Sequence, residues 1–367
     1  MEKIIFFALA IPILGFVFYL GGTAIMKGFK AKVDNRPQKL EENETEDTSL
    51  NNNQLSKEIT KLNELRQSGV LTEEEFEKAK KKFVNVNKGK IFCRFKGTGP
   101  PLLLLHGYPQ THVMWHKTAP ELSKYFTVVV ADLRGYGNSL VLPGDKKHIN
   151  YSKREMAKDM VQLMNKLNFK KFFLAGHDRG GRVAHRMARD FKNKILALCV
   201  LDICPTLDMY ETTDRKFAKA YFHWFFLIQP SWLPERMIMN DPKKWMKSCL
   251  HKWSGKHKFG KAEEAYLKSF KQKKRIHASC EDYRASDTID LEHDKKDKNK
   301  KLNIPIQVLW GKKGVIGKQF NSIKIWQKYS NKQIIGKAID SGHFIPEENP
   351  QQTIVQLRNF FLKQINN

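Results

Sequence analysis

The stretch KFFLAGHDRGGRVAHRMARDF, residues 171–191, decides the fold of this chain. Its first part is an apolar run typical of a strand buried on both faces, and its second part has the apolar spacing of a helix. Between them, the segment GHDRG at 176–180 has a glycine two residues before and two residues after Asp178, which permits a sharp turn. Such a turn exposes the Asp178 side chain at the N-terminus of the helix, where the helix dipole favours an anion. The stretch therefore predicts a nucleophilic aspartate on a strand-to-helix turn.

Strand-like and helix-like segments alternate on both sides of this turn. Continuous apolar runs such as PLLLL at 101–105 and ILALCVL at 195–201 are separated by amphipathic helical segments. Such alternation predicts an α/β fold with a mostly parallel sheet. Residues 206–301 break the alternation with polar helical stretches, so we expect a helical cap inserted there. The core of the fold is then expected in two parts, at 87–205 and 302–367.

Two residues beyond the turn complete a catalytic set with Asp178. His343, in the segment SGHF, follows the last predicted strand, and the chain order of nucleophile, acid and histidine makes it the expected base. The loop at 310–314, after the next-to-last strand, contains no carboxylate. Asp202 instead follows the strand ILALCVL and can reach His343 from a neighbouring strand end. We therefore expect Asp202 to orient His343, with a turn-capping aspartate as the alternative.

The segment HGYP at 106–109 directly follows the PLLLL strand. When a nucleophile lies on such a turn, this loop supplies one backbone N–H of the oxyanion hole, and the residue after the nucleophile supplies the other. We expect these two donors to be the backbone N–H groups of Tyr108 and Arg179.

From residue 90 to residue 365 the chain resembles the fluoroacetate dehalogenases, which are α/β hydrolases. The segments that carry the resemblance are HGYPQTHVMW, VVVADLRGYGNS, GHDRGGRVAHRMA, VLDICPT, YFHWFFL, CEDYRAS and SGHF. It implies an α/β-hydrolase fold and an enzyme that displaces halide from a small 2-haloacid through a covalent ester, without a metal or other cofactor. Carried over by position, it implies nucleophile Asp178, acid Asp202, base His343, carboxylate ligands Arg179 and Arg182, and halide ligands His223, Trp224 and Tyr283 from the cap.

The arginines agree with this resemblance on physical grounds. Arg179 and Arg182 are three residues apart at a helix start, so they share a face, and a planar guanidinium suits a carboxylate. Arginine is also unusual in a chain whose basic residues are mostly lysine. The alternative is that the pair lies at the surface, which is where we expect Arg186 and Arg189.

Two other functions remain open from the sequence. An epoxide hydrolase would use the same Asp178 and His343, with two cap tyrosines to protonate the epoxide oxygen. Tyr283 could serve as one of them, but the opposing cap position holds His223, and the arginine pair would have no role on a neutral epoxide. The other possibility is a non-catalytic, membrane-anchored scaffold, which the intact set of nucleophile, acid and base argues against.

The N-terminus predicts a membrane anchor. Residues 4–26 carry no charge and are long enough to span a bilayer as a helix. Their length favours an uncleaved, single-pass anchor at 1–33 over a signal peptide. Basic residues follow the apolar segment, so we expect the catalytic domain in the cytosol. Residues 34–53 are polar and acidic and are expected to form a flexible linker.

A helical hairpin is expected at 54–86. Apolar residues recur there at helical spacing, and Thr72 and Glu75 form a capping box for a second helix. The stretch LNELRQSGVLTEEEFEKAKKKF at 62–83 resembles the SHOCT module, a short helical hairpin of many membrane-associated proteins. This resemblance covers 54–84 and implies self-association, with a plain helical spacer as the alternative.

The chain has a net charge of +27, which raises the question of a nucleic-acid partner. The lysines are spread along the whole chain, and no recognisable nucleic-acid-binding module accompanies them. We therefore expect no nucleic-acid partner, and a solvated surface that lies near anionic lipid. The five cysteines are odd in number and include no CxxC pair, which favours a reducing compartment.

Overall fold

The computed structural model of the chain describes residues 81–365. In this part, eight strands form one sheet: β1 (Lys81–Val86), β2 (Gly89–Lys96), β3 (Pro101–Leu105), β4 (Thr127–Ala131), β5 (Phe172–His177), β6 (Ile195–Leu201), β7 (Ile306–Gly311) and β8 (Ile335–Ile339). Their spatial order is β1-β2-β4-β3-β5-β6-β7-β8. The pairs β1–β2 and β2–β4 are antiparallel, and the other neighbouring strands are parallel. The expected α/β fold with a mostly parallel sheet is confirmed.

The α-helices of residues 81–365 fall into three groups along the chain. Before β6 lie α1 (Ala119–Leu122), α2 (Lys153–Lys166) and α3 (Arg179–Asp190). Between β6 and β7 lie α4 (Thr206–Glu211), α5 (Arg215–Ala220), α6 (Phe222–Leu227), α7 (Leu233–Asn240), α8 (Pro242–Trp253), α9 (Lys261–Phe270), α10 (Lys273–Asp287) and α11 (Ile289–Lys296). After β7 lie α12 (Val315–Gln319), α13 (Ser322–Gln327), α14 (Ile345–Glu348) and α15 (Pro350–Lys363). We call the helices α4 to α11 the cap.

The central strands are apolar along their whole length because both faces of the sheet are covered. Every residue of β5 is buried, and so are the four leucines of β3. Helix α3 packs against β5 and β6, and α2 packs against α3. Because these strands are parallel, their carboxyl ends lie at the same edge of the sheet. Asp178, Asp202 and His343, which follow β5, β6 and β8, are therefore brought to that edge.

The C-terminal boundary expected for the helical hairpin, residue 86, is wrong. Residues 81–86 form β1, which pairs along its length with β2, for example Phe83 with Phe92. The reason is the local pattern KKFVNV, in which Val84 and Val86 alternate with more exposed residues and pack on the core. Alternation with β-branched residues favours a strand. The first strand of the sheet therefore begins at residue 81, before the expected start of the core at residue 87.

The expected surface position of Arg186 and Arg189 is also wrong, because both side chains are buried under the cap. Arg186 donates to Asp294 at 2.6 Å and to Asp297 at 2.5 Å. Arg189 donates to the Asp297 carbonyl oxygen at 3.0 Å. Helix α3 is thus a structural support for the cap as well as the helix that follows Asp178.

The expected anchor at 4–26, the linker at 34–53 and most of the hairpin at 54–86 lie outside the described residues. Within residues 81–365, none of the helices has the length and apolar character needed to cross a bilayer.

Candidate active site

Asp178 lies at the junction of β5 and α3 with a backbone conformation that L-residues rarely adopt, φ 45° and ψ −115°. Close backbone packing makes the flanking glycines necessary. A Cβ atom on Gly176 would lie 2.4 Å from the Gly180 carbonyl oxygen, and one on Gly180 would lie 2.4 Å from the His106 carbonyl oxygen. The expected sharp turn is present, and it is held by contacts that leave no room for larger side chains.

The carboxylate of Asp178 is buried and accepts a hydrogen bond from the backbone N–H of Tyr108, at 2.9 Å from Oδ2. Burial alone would raise its pKa. The charges of His343 and Arg179 outweigh burial and lower the pKa of Asp178 below its usual value. The carboxylate is therefore ionised at neutral pH, as a nucleophile must be.

His343 and Asp202 form a hydrogen-bonded pair, with 2.6 Å between His343 Nδ1 and Asp202 Oδ2. The other oxygen of Asp202 accepts the backbone N–H of Gly311 at 2.8 Å. Burial lowers the pKa of His343, but the hydrogen bond and charge of Asp202, with the charge of Asp178, raise it above the usual value. Because Nδ1 faces Asp202, Nε2 is the nitrogen that can take a proton from another group.

His177 is a functional candidate that sequence reasoning missed. Its Nε2 donates to the backbone carbonyl of His343 at 2.7 Å, which holds the loop that carries the histidine. Burial lowers the pKa of His177 to about 3, so the ring is neutral. Its place immediately before Asp178 was the only available signal, and nothing in the sequence indicated that the side chain reaches His343.

Arg179 is buried and paired with a carboxylate from the cap. Its Nε and Nη2 donate to the two oxygens of Asp282 at 2.9 and 2.7 Å, and Nη2 also donates to Ser286 at 2.5 Å. The guanidinium lies 4.1 Å from the ring centroid of Tyr283. Only Nη1 is buried without a hydrogen-bond partner. Most of the binding capacity expected for a substrate carboxylate is therefore already occupied.

Asp282, in α10, is the second site residue that the sequence did not reveal. Besides Arg179, it accepts hydrogen bonds from Lys153 Nζ and from the Tyr136 hydroxyl, the latter at 2.7 Å. Burial alone would raise its pKa, but the charges of Arg179 and Lys153 lower it below its usual range. One cap carboxylate thus joins three core side chains. Sequence reasoning quoted this residue within CEDYRAS but could not assign its partners, which come from distant segments.

Arg182 has a different environment, because its hydrogen-bond partners are neutral. Nη1 donates to the Thr206 hydroxyl at 2.9 Å and to the Cys204 carbonyl oxygen at 3.2 Å. The guanidinium lies 4.6 Å from the ring centroid of Trp224, and Nε is buried without a partner. Among residues 81–365, no carboxylate oxygen lies within 4.0 Å of its nitrogens. A buried guanidinium in this state favours a bound anion.

The cap residues His223, Trp224 and Tyr283 lie together beside these arginines. The ring centroids of His223 and Tyr283 are 5.7 Å apart, and those of Trp224 and Tyr283 are 6.5 Å apart. Burial lowers the pKa of His223 well below its usual value, so the ring is neutral, and its Nδ1 has no partner. Within residues 81–365, no three His, Cys, Asp or Glu side chains are grouped as metal ligands. The described polar groups suit a small anion.

A family model described as alpha/beta hydrolase fold matches residues 100–350. Fluoroacetate dehalogenase of Burkholderia sp is 43% identical over 289 residues, which are 78% of this chain and 94% of that protein. The chain belongs to the α/β-hydrolase family that includes fluoroacetate dehalogenase. A second family model, described as Short C-terminal domain, matches residues 57–83 of this hydrolase and so ends within β1.

One further sequence relative and one solved structure are similar to this hydrolase over most of its length. The soluble epoxide hydrolase of Corynebacterium sp. (strain C12) is 31% identical and matches 72% of this chain and 91% of its own length. A crystal structure of a Nostoc sp PCC 7120 protein assigned to the alpha/beta hydrolases is 48% identical, with a TM-score of 0.75. That match covers 77% of this hydrolase and 97% of the Nostoc chain. The likeness extends over nearly the whole length of both relatives.

Proposed function

We propose that this enzyme hydrolyses the carbon–halogen bond of small 2-haloacids, with Asp178 as the nucleophile. The observation that carries the proposal is Arg182, a buried cation without a carboxylate partner in the described chain, one helical turn from Asp178. A substrate carboxylate would neutralise that charge and hold the adjacent carbon near the nucleophile. The 43% identity to a fluoroacetate dehalogenase supports the same substrate class.

In the first step, a carboxylate oxygen of Asp178 attacks the carbon that bears the halogen. A carbon–oxygen ester bond forms, the carbon–halogen bond breaks, and the halide leaves with the bonding electrons. The donors of His223, Trp224 and Tyr283 replace part of the halide's hydration shell. The step needs no proton transfer, so it does not require His343.

In the second step, His343 Nε2 takes a proton from water, and the resulting hydroxide attacks the carboxyl carbon of the Asp178 ester. The backbone N–H groups of Tyr108 and Arg179 stabilise the oxyanion of this intermediate. Its collapse breaks the ester carbon–oxygen bond, and the leaving alkoxide takes the proton from His343 to give a 2-hydroxyacid. The Asp178 carboxyl group then loses its proton to solvent and is regenerated as the carboxylate. Asp202 keeps the imidazole in the required orientation and stabilises its protonated form.

The two-step scheme predicts a trapped ester. In His343→Ala, chloroacetate should add one carboxymethyl group to the protein, and peptide mass spectrometry should locate it on Asp178. Asp178→Ala, combined with His343→Ala, is the matched control and should gain no mass. Wild-type enzyme in excess over substrate, in ¹⁸O-water, should put the label into Asp178 and not into the first-turnover product. Label in that product would mean that water attacks the substrate directly.

Epoxide hydrolysis is the second candidate, since a soluble epoxide hydrolase is 31% identical. Tyr221 and Tyr283 are both buried cap tyrosines, and the charge of Asp178 raises the pKa of each, after the larger effect of burial. They could donate protons to an epoxide oxygen. A panel of haloacids, haloalkanes and styrene oxide separates the two functions. Faster turnover of the epoxide than of any haloacid, unchanged in Arg182→Gln, would favour epoxide hydrolysis.

We also propose that residues 4–26 anchor the enzyme in a membrane with its catalytic domain in the cytosol, and that residues 54–84 mediate self-association. The apolar length and the basic residues that follow it support the first part. The match of residues 57–83 to a Short C-terminal domain model supports a separate module in this region. Protease protection in sealed vesicles tests the orientation, and cross-linking with and without residues 54–80 tests the association.

A further inference from the structure

A cavity of about 680 Å³ opens to the surface beside His343, at the junction of cap and core. Its inner wall includes Tyr221, Trp253 and His343, and the Trp253 and His343 ring centroids are 5.9 Å apart. Its outer part is lined by the cap segment 252–256 and the core segment 313–319. We call this cavity the vestibule. The vestibule therefore reaches the proposed base, His343, from solvent, whereas Asp178 and Arg182 do not line it.

The vestibule is lined by four lysines and by no aspartate or glutamate: Lys252, Lys256, Lys313 and Lys318. All four are exposed. Asp340 pairs with Lys313 at 2.8 Å, but no carboxylate oxygen within residues 81–365 lies within 4.0 Å of the other three. Three of the four lysines therefore have no carboxylate partner in this part of the chain.

One further carboxylate, Glu348, does not line the vestibule but binds its backbone. Glu348 accepts the N–H groups of Gly255 at 2.6 Å, Gly342 at 2.7 Å and Phe344 at 2.8 Å. These bonds hold the vestibule segment 252–256 to the loop that carries His343. Four lysines against the two carboxylates of Asp340 and Glu348 leave the mouth of the vestibule with a net positive charge.

We infer that the vestibule is the entry route for anionic substrate, and that Lys252, Lys256 and Lys318 raise the local substrate concentration and strengthen its binding. The inference rests on the proposed function, because it concerns the same small organic anions. A unit charge about 10 Å from an anion in water-rich surroundings changes its binding about 2- to 3-fold at low salt. Three such charges should act together and should be screened above about 0.5 M salt.

The test compares two triple variants in the His343→Ala background. The first is Lys252→Gln, Lys256→Gln and Lys318→Gln. The matched control is Lys166→Gln, Lys170→Gln and Lys171→Gln, which removes three exposed charges near the amino end of β5, the end opposite Asp178. Ester formation on Asp178 is measured against chloroacetate concentration at low and high salt, and against the neutral substrate chloroacetamide.

We expect half-maximal ester formation in the vestibule variant to need roughly 5- to 20-fold more chloroacetate at low salt. The maximal rate should be unchanged, the difference should vanish at high salt, and chloroacetamide should react alike in both variants. If the two triple variants need the same chloroacetate concentration for half-maximal ester formation, the vestibule is not the entry route. The dehalogenation chemistry would be unaffected by that result. No ester in either variant, nor in His343→Ala itself, would overturn the proposed function and this inference with it.

Discussion

At the scale of single residues, Arg179 and Arg182 of α3 have different electrostatic surroundings although they lie three residues apart. Arg179 has two hydrogen bonds to the carboxylate of Asp282, whereas Arg182 has only neutral partners in the described chain. Burying an unpaired guanidinium costs several kcal/mol, and a bound carboxylate offsets that cost. Arg182 should therefore contribute most to substrate recognition, and Arg179 mainly to the structure.

Replacement of Arg182 tests this difference. Arg182→Gln should lower kcat/KM for chloroacetate about 30- to 1000-fold, equivalent to about 2–4 kcal/mol. Arg182→Lys should recover only part of the loss, because an ammonium group lacks the planar fork. Chloroacetamide, which has no carboxylate to bind, is the control and should be affected little. An equal loss for both substrates would assign Arg182 a general structural role.

The ionisation of His343 predicts an acid limit to the second step. His343 must be neutral to act as a base. Its pKa is raised above 6.5, so ester hydrolysis should slow as the pH falls through this raised pKa. Ester formation should not slow in this range, since the pKa of Asp178 is lowered below 3.8. In Asp202→Asn the contribution of Asp202 to the pKa of His343 is lost. The acid limb of ester hydrolysis should therefore move to lower pH, while the maximal rate falls. Rapid-quench measurement of both steps from pH 5 to 9 checks this.

The sequence predicted the residues of the site better than their partners. Asp178 and Asp202 directly follow a strand and His343 lies in the loop after the last strand, so the order of the elements was enough to bring them to one edge of the sheet. Asp282 and His177 were missed because their roles depend on side chains from remote segments. Arg186 was misplaced for the same reason: nothing near it in sequence indicates that Asp294 and Asp297 of a later segment cover it.

At the scale of elements, β1 determines where the catalytic fold begins. Val84 and Val86 pack against the core, and the strand covers the edge of β2. A variant that begins at residue 87 would expose that edge, which promotes aggregation. The error in the sequence interpretation arose because KKKF continues the charged helical pattern, and only the next three residues establish a period of two.

Two shortened variants test the role of β1. A protein that begins at residue 81 should retain wild-type stability and dehalogenation. One that begins at residue 87 should be less stable by about 2–4 kcal/mol, from the lost burial of its two valines and their neighbours, and should aggregate at lower temperature. Urea unfolding and light scattering measure the difference. Equal stability of the two proteins would mean that β1 is only a peripheral addition to the sheet.

The carboxylate of Asp282 links helix α10 of the cap to two cations of the core, Arg179 and Lys153. Asp282→Asn keeps the shape but removes the carboxylate that pairs with Arg179 and, together with Asp290, with Lys153. Breaking a buried pair in this way costs about 3–5 kcal/mol, which should appear as a lower unfolding midpoint in urea. Lys328→Gln is the control, since it removes a pair between an exposed lysine and Asp208 and should cost less than about 1 kcal/mol. Comparable losses in the two variants would contradict a special role for Asp282.

At the scale of the whole molecule, the fold class followed from strand–helix alternation, and the comparisons confirm the family. The order β1-β2-β4-β3-β5-β6-β7-β8 did not follow from the sequence, because pairing between distant strands leaves no local signal. The same limit applies to the vestibule, whose walls come from the cap and from two loops of the core. The membrane anchor and the association of residues 54–84 remain predictions.

The buried, unpaired charge of Arg182 also makes the thermal stability of the folded enzyme depend on the anions in its buffer. An anion that binds only the folded state stabilises it by about 2.7 kcal/mol at 100 times its Kd. Acetate, glycolate and chloride should therefore raise Tm by several degrees, in the order of their affinities, even though none of them can react. Glycolamide, the neutral counterpart of glycolate, should leave Tm unchanged, and Arg182→Gln should abolish the response to the two carboxylates, acetate and glycolate. Calorimetry in a buffer whose anions are too large to enter the site would then measure the least stable form of the enzyme, in which the Arg182 guanidinium has no counter-ion.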